Sequence, residues 1–225
     1  MLLNSIHQIE LSSRCNLACH YCPHPGLTRP KADMSMETFE QAIKWAKYFG
    51  GSELSFTGMG EAMLNPEFEA MMYIARSELP DTWFLLSTNG ILLADKKNPA
   101  RTEILLSVLK DARCTVYVST HRPEVAGEAI ENCGKAGIPV GTNTAFVTSG
   151  FDWAGQVKWH GIPAPRTECQ YLKQGWGTVL QDGRIVNCCF DAHGLHPVGT
   201  VWDEVDELQM HPMPLCEKCH LSIPK

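Results

Sequence analysis

Between residues 7 and 147 stretches with a strand pattern and stretches with a helix pattern follow one another at short intervals. This rhythm limits the fold more than any other feature of the 225-residue chain. His7-Gln8-Ile9-Glu10-Leu11 alternates as a strand does. The stretch 36–49 brings Phe39, Ala42, Ile43, Ala46 and Phe49 to one face of a helix. Ser35 stands before it as an N-cap, its hydroxyl able to accept from a free backbone N–H, and Glu37 suits the positive end of the helix dipole. Thr38, where Glu or Gln would close a capping box, leaves that motif incomplete. Leu54-Ser55-Phe56, Trp83-Phe84-Leu85-Leu86, Thr115-Val116-Tyr117-Val118 and residues 138–147 read as strands two to five, with helices at 66–77, 100–110 and 123–133. Strands alternating with helices at this spacing predict parallel βαβ units, hence an α/β fold.

After about residue 150 the rhythm breaks. Pro163 and Pro165 mark a linker, and Gln181-Asp182-Gly183 between two short apolar runs signals a hairpin. A short helix is expected over 205–209, before Pro212 and Pro214. The chain thus divides into residues 1–160 and a tail, 161–225, too short for a large core of its own unless a metal site cross-links it. Nineteen Lys and Arg against 25 Asp and Glu give a formal charge of −6, so a non-specific nucleic-acid partner is not expected. The start, Met1-Leu2-Leu3-Asn4, does not read as a signal peptide, and no apolar run approaches the length of a membrane span. Ten Cys in such a chain point to metal or redox chemistry in a reducing, cytoplasmic setting rather than to a disulfide framework.

The thiols are grouped. Cys114 and Cys133 stand alone within a strand and a helix and read as buried core residues. Cys15, Cys19 and Cys22 form C-x3-C-x2-C on the loop at the C-terminal end of the first strand, the end where α/β barrels build their sites. Three thiolates on one loop can hold three irons of a [4Fe–4S] cube and leave the fourth open. By spacing alone, a zinc site with His20 or His24 is the alternative.

With Tyr21 in the slot before its last Cys, this loop resembles the C-x3-C-x-aromatic-C signature of the radical S-adenosylmethionine (SAM) superfamily. The resemblance implies a partial (β/α)6 TIM-like barrel. It also implies that the open iron binds the amino and carboxylate groups of SAM, whose cleavage gives a 5′-deoxyadenosyl radical that removes a substrate hydrogen atom. Tyr21 would then lie near the adenine. Phe56-Thr57-Gly58-Met59-Gly60-Glu61-Ala62 looks like the family's G-G-E-P element: Gly60 and Glu61 match, whereas Met59 and Ala62 replace the first Gly and the Pro. On that likeness Gly58 and Gly60 let the backbone approach SAM, and Glu61 accepts from its ammonium group. Ser87, Thr88 and Asn89 end strand three, and Ser119 and His121 end strand four, on the rim where the family binds the ribose and methionine portions.

Cys169, Cys188 or Cys189, Cys216 and Cys219 give four sulfur ligands, a closed set for a second [4Fe–4S] cluster, with zinc again the alternative. The tail is similar to the SPASM domain in its shortened, one-cluster twitch form, as in the small twitch-bearing dehydrogenases of aminocyclitol biosynthesis. That likeness implies an oxidation completed by electron transfer to the second cluster, on a small alcohol or sugar-like metabolite or on a peptide residue. It also implies a flavodoxin- or ferredoxin-type electron donor. A non-catalytic iron–sulfur or zinc protein of electron transfer is the other class. The stretch 149–153 carries no basic residue to deprotonate a substrate, so no catalytic side chain is assigned. His160, His193, His196, His211 and His220 read as surface or packing residues, Trp153, Trp159 and Trp176 as core, and Arg122, Glu124 and Glu128 as a solvated helix end.

Overall fold

The computed structural model describes residues 1–143, 152–158, 168–204 and 208–219. Five strands alternate with four helices: β1 (Ser5–Ile9), α1 (Met36–Phe49), β2 (Glu53–Ser55), α2 (Phe68–Glu78), β3 (Trp83–Thr88), α3 (Pro99–Asp111), β4 (Cys114–Ser119), α4 (Pro123–Ala136) and β5 (Val140–Asn143). There follow α5 (Gln170–Gln174), β6 (Trp176–Val179), β7 (Arg184–Val186) and β8 (Pro197–Thr200). Among the described residues one open sheet holds eight strands in the order β5-β4-β3-β2-β1-β6-β7-β8. β1 to β5 pair in parallel, as the βαβ rhythm requires, and the sheet does not close into a barrel.

Helix α1 shows how locally the sequence acts. Its bounds are those the apolar spacing predicts, and Ser35 Oγ accepts from the Thr38 backbone N–H at 3.2 Å. The Thr38 hydroxyl lies 2.9 Å from the same oxygen, so Thr38 closes the first turn without a glutamate. Gly50, at φ 66°, ends the helix in the left-handed region. Replacing Ser35 by Ala should lower stability by about 1 kcal/mol, read as a shift in urea midpoint at constant slope.

Phe39, Phe56, Phe68 and Phe84 are fully buried between the sheet and its helices. Cys114 and Cys133 lie in the same core, where burial raises both thiol pKa values, that of Cys133 to about 11.

The hairpin expected at residues 181–183 forms, but it does not stand apart. β6 pairs in parallel with β1, and β7 and β8 continue antiparallel from it. Leu172, Val179, Ile185, Val201, Leu208 and Met210 of the tail therefore pack into the main core. Of the helix expected over 205–209, the first three residues lie outside the described ones, and Gln209 makes an antiparallel bridge to Leu2. The 160/161 boundary, Pro163, Pro165, Trp159, His160, His220 and residues 144–151 also lie outside them. Among the described residues no helix is long and apolar enough to cross a membrane.

Candidate functional site

A cavity of about 330 Å³ opens at the C-terminal ends of the parallel strands. Cys15, Cys19, Tyr21 and Cys22 line it from the loop after β1; Gly58, Gly60 and Glu61 from the loop after β2; Ser87, Thr88 and Asn89 from β3; Ser119 and His121 from β4. Every loop thiol and every residue that sequence reading assigned to SAM thus meets one space.

The thiol loop is held by its neighbours. Ser13 Oγ bonds the carbonyls of Pro30 and Ala32 at 3.1 Å each, and His24 Nε2 donates to the Ser13 carbonyl at 3.1 Å. Arg14 pairs with Asp33 at 2.6 Å and donates to the Leu64 carbonyl at 2.8 Å. The Cys22 backbone N–H donates to the Cys19 carbonyl at 3.1 Å, a turn that turns consecutive thiols to one side. Asn89 Nδ2 donates to Asn16 Oδ1 at 2.7 Å and lies 3.9 Å from Cys15 Sγ, tying the end of β3 to the loop. Burial raises the Cys15 thiol and pushes Cys22 up to about 11.

Glu61 is almost fully buried. Its carboxylate accepts from Thr88 Oγ1 and from the Asn89 backbone N–H, each at 2.9 Å, and burial pushes its pKa up to about 7. The same group that the family likeness assigns to SAM therefore also joins the β2 loop to the end of β3. His121 contributes the reverse case. Both its ring nitrogens are shielded from solvent without a hydrogen-bond partner among the described residues, and its ring stands edge-on to Tyr21 at 6.0 Å. Burial, then Arg122, lowers its pKa, so it offers a neutral donor and acceptor to a ligand in the cavity.

These side chains fit a thiolate-held cluster with SAM beside it. Cys15, Cys19 and Cys22 all line the cavity, where three thiolates could hold such a cluster.

His7, Gln8, Tyr171 and Cys189 also line the cavity, and of these the sequence marked only Cys189, as the alternative to Cys188. The His7 ring stacks on Trp176, with centroids 4.1 Å apart and planes 7° apart, and meets Tyr171 edge-on at 5.8 Å. Burial lowers the His7 pKa against the opposing pull of Glu53, leaving an imidazole able to take a proton. Trp153 lines the cavity as well as packing: its indole N–H donates to the Tyr21 carbonyl at 3.0 Å, and its ring lies 5.1 Å from Phe190.

Burial, and after it the neighbouring thiols, raises the tail's Cys188, Cys189 and Cys216: Cys189, Cys169 and Cys216 act on Cys188, Cys219 and Cys169 on Cys189, and Cys169 on Cys216. Cys189 Sγ also accepts from the Tyr171 hydroxyl at 3.5 Å. Cys189 is the member of the adjacent pair that reaches the cavity.

Thiols and polar side chains converging on the C-terminal rim of a parallel α/β sheet define an enzyme of the half-barrel class. The model of the radical SAM superfamily matches residues 9–154, and the chain belongs to that superfamily. A GTP 3′,8-cyclase of Clostridium botulinum is 30% identical over 115 residues, which cover 47% of this chain and 36% of that protein. The PqqA peptide cyclase of Gluconobacter oxydans is 33% identical over 89 residues, 39% of this chain and 24% of that one. The chain thus spans about a third or less of these curated relatives. In fold it is similar to BtrN, whose crystal structure contains AdoMet and 2-DOIA, with a TM-score of 0.67 at 18% identity over 89% of this chain and 79% of that one.

Proposed function

We propose that the chain is a radical SAM oxidoreductase with two [4Fe–4S] clusters, one on Cys15, Cys19 and Cys22 and one on Cys169, Cys188 or Cys189, Cys216 and Cys219. The observation that carries this reading is the cavity itself, which the loop thiols and Cys189 line together. When bound, the loop cluster and SAM supply a carbon-centred radical that takes a hydrogen atom from the substrate. Gly58, Gly60, Glu61, Ser87, Thr88, Asn89, Ser119, His121 and Tyr21 hold SAM against the loop. His7 and Tyr171 flank the route from the substrate to the tail thiols, and the neutral His7 imidazole can take the proton that an oxidised alcohol or peptide group gives up. The substrate is a small alcohol or sugar-like metabolite or a peptide residue, and a flavodoxin- or ferredoxin-type protein supplies the electron. Residues 1–160 are the SAM-binding unit and 161–225 the twitch-type unit.

Anaerobic reconstitution followed by iron and sulfide counting tests this reading. About eight irons per chain are expected, with 5′-deoxyadenosine released from SAM under dithionite. Replacing Cys169 and Cys216 by Ala should lower the count to about four and leave that release intact at saturating SAM. Tightly bound zinc with no SAM cleavage would identify the non-catalytic alternative.

A further inference from the structure

Glu10, the residue after β1, and Arg29, seven residues beyond Cys22, form an ion pair sealed from solvent, with side chains 1% and 3% exposed. Arg29 Nη1 and Nη2 donate to Glu10 Oε2 and Oε1 at 2.7 and 2.8 Å, a bidentate fork that lysine cannot reproduce. Both partners are engaged again on their far sides. Glu10 Oε1 accepts from the backbone N–H of Met59 at 2.7 Å, in the loop that leads to Gly60 and Glu61. Arg29 Nε donates to the carbonyl of Ala192 at 2.7 Å, and Nη1 reaches Gln181 Oε1. The Gln181 backbone N–H in turn donates to Glu10 Oε2 at 3.3 Å.

Ala192 is three residues after Cys189, and the intervening turn is closed by the Asp191 N–H on the Cys188 carbonyl at 3.1 Å. One side-chain pair therefore grips the thiol loop's exit, the loop before Glu61 and the segment carrying the tail thiols. Gly58 makes the grip tight. A Cβ there would lie under 3.0 Å from Cβ, Cγ and Oε1 of Glu10, atoms that Arg29 prevents from moving aside.

Burying a charge pair gives little net stability over apolar side chains of the same volume, so its use is geometric. We propose that Glu10 and Arg29 are positioning residues that couple the tail thiols to SAM binding: ordering the segment around Cys188 and Cys189 holds residues 59–61 in place, and SAM binding orders the tail in return. The coupling is reciprocal by linkage. It rests on the radical SAM reading of the cavity.

The test compares the full-length wild type with Arg29→Gln, Arg29→Lys and Glu10→Gln. Amide hydrogen exchange is measured first on the metal-free proteins. In Arg29→Gln, residues 57–61 and 187–193 should lose protection together while α2 and α3 keep theirs. Arg29→Lys keeps the charge on Glu10 but cannot span to Ala192, so it should restore protection to 57–61 alone. This variant decides the matter if Arg29→Gln fails to fold. Protection lost evenly along the chain, or in neither segment, overturns the proposal.

The second arm titrates SAM into the reconstituted proteins and follows the electron paramagnetic resonance signal of the reduced loop cluster. Replacing Cys169 and Cys216 by Ala should weaken the SAM midpoint about tenfold in the wild type and leave it unchanged in the Arg29→Gln background. Equal weakening in both backgrounds overturns the coupling. A wild type that gives no response to SAM would instead refute the SAM reading, while the exchange measurements still decide whether the pair links the two segments.

Discussion

Replacing any one of Cys15, Cys19 and Cys22 by Ala is expected to abolish SAM cleavage, with no 5′-deoxyadenosine detectable after incubation with dithionite and SAM. The loop offers three thiols and no spare. His24 has its Nε2 engaged by the Ser13 carbonyl and only its Nδ1 without a partner among the described residues, and a neutral imidazole does not supply the thiolate charge that a cluster iron takes. The loss should be one of chemistry and not of folding. All three thiols are only partly buried, and the loop's shape is kept by Ser13, by Arg14 and by the Asn89–Asn16 bond, none of which uses sulfur. Unfolding midpoints of the metal-free variants should therefore stay within about 0.5 kcal/mol of wild type. Iron content should fall by about four per chain while the tail's share remains, the mirror image of the result for Cys169 and Cys216. Retained SAM cleavage in any of the three variants would refute the assignment of the loop.

What could be read from the sequence divides along a physical line. Helix α1 and the parallel strands were legible because their signals are local: an N-cap, an apolar stripe and a repeated strand–helix order. The thiol loop was legible for the same reason, since its ligands lie within eight residues of one another. The partner of β6 was not. Trp176-Gly177-Thr178-Val179 reads as one arm of a hairpin whatever lies on its other edge, and the pattern carries no mark of β1.

The grouping of His7 with Tyr171 and Trp176 was hidden likewise, because it joins rings more than 160 residues apart. In the sequence His7 is merely the first residue of an alternating run. Glu10 left no trace either, because in the alternating run from His7 to Leu11 a glutamate reads as a polar position in phase with Gln8. Its requirement for a buried cation became visible only once the tail lay against it.

The glycines of the β2 loop make the same distinction and lead to the second large effect. Sequence reading gave Gly60 the task of letting the backbone approach SAM. The structure adds a cause that operates with no ligand at all: a Cβ on residue 60 would lie under 3.0 Å from the carbonyl oxygens of Ser12 and Arg14 and 2.7 Å from the Ser13 carbonyl carbon. Gly60 is not among the positive-φ residues, so an alanine is opposed by space rather than by dihedral preference.

Those backbone atoms have little freedom to retreat. Ser12 Oγ bonds Asp33 at 2.7 Å, Ser13 is fixed to Pro30 and Ala32, and the Arg14 carbonyl accepts from the Glu61 N–H at 2.7 Å. Gly60→Ala should consequently push the thiol loop and residues 59–61 apart. A displacement of about 1 Å at reacting groups lowers rates by about a hundredfold, so SAM cleavage should drop at least that far. Stability should fall by about 1–3 kcal/mol, the usual cost of overpacking.

Gly127→Ala supplies the control of opposite sign. Gly127 lies within α4 with open space around its Cβ position, so alanine there should raise stability by about 0.5–1 kcal/mol and leave SAM cleavage unchanged. Urea midpoints and 5′-deoxyadenosine yields on the two variants measure both effects. A Gly60→Ala protein that matches wild type in both would mean that the close packing of the β2 loop on the thiol loop does not govern the site.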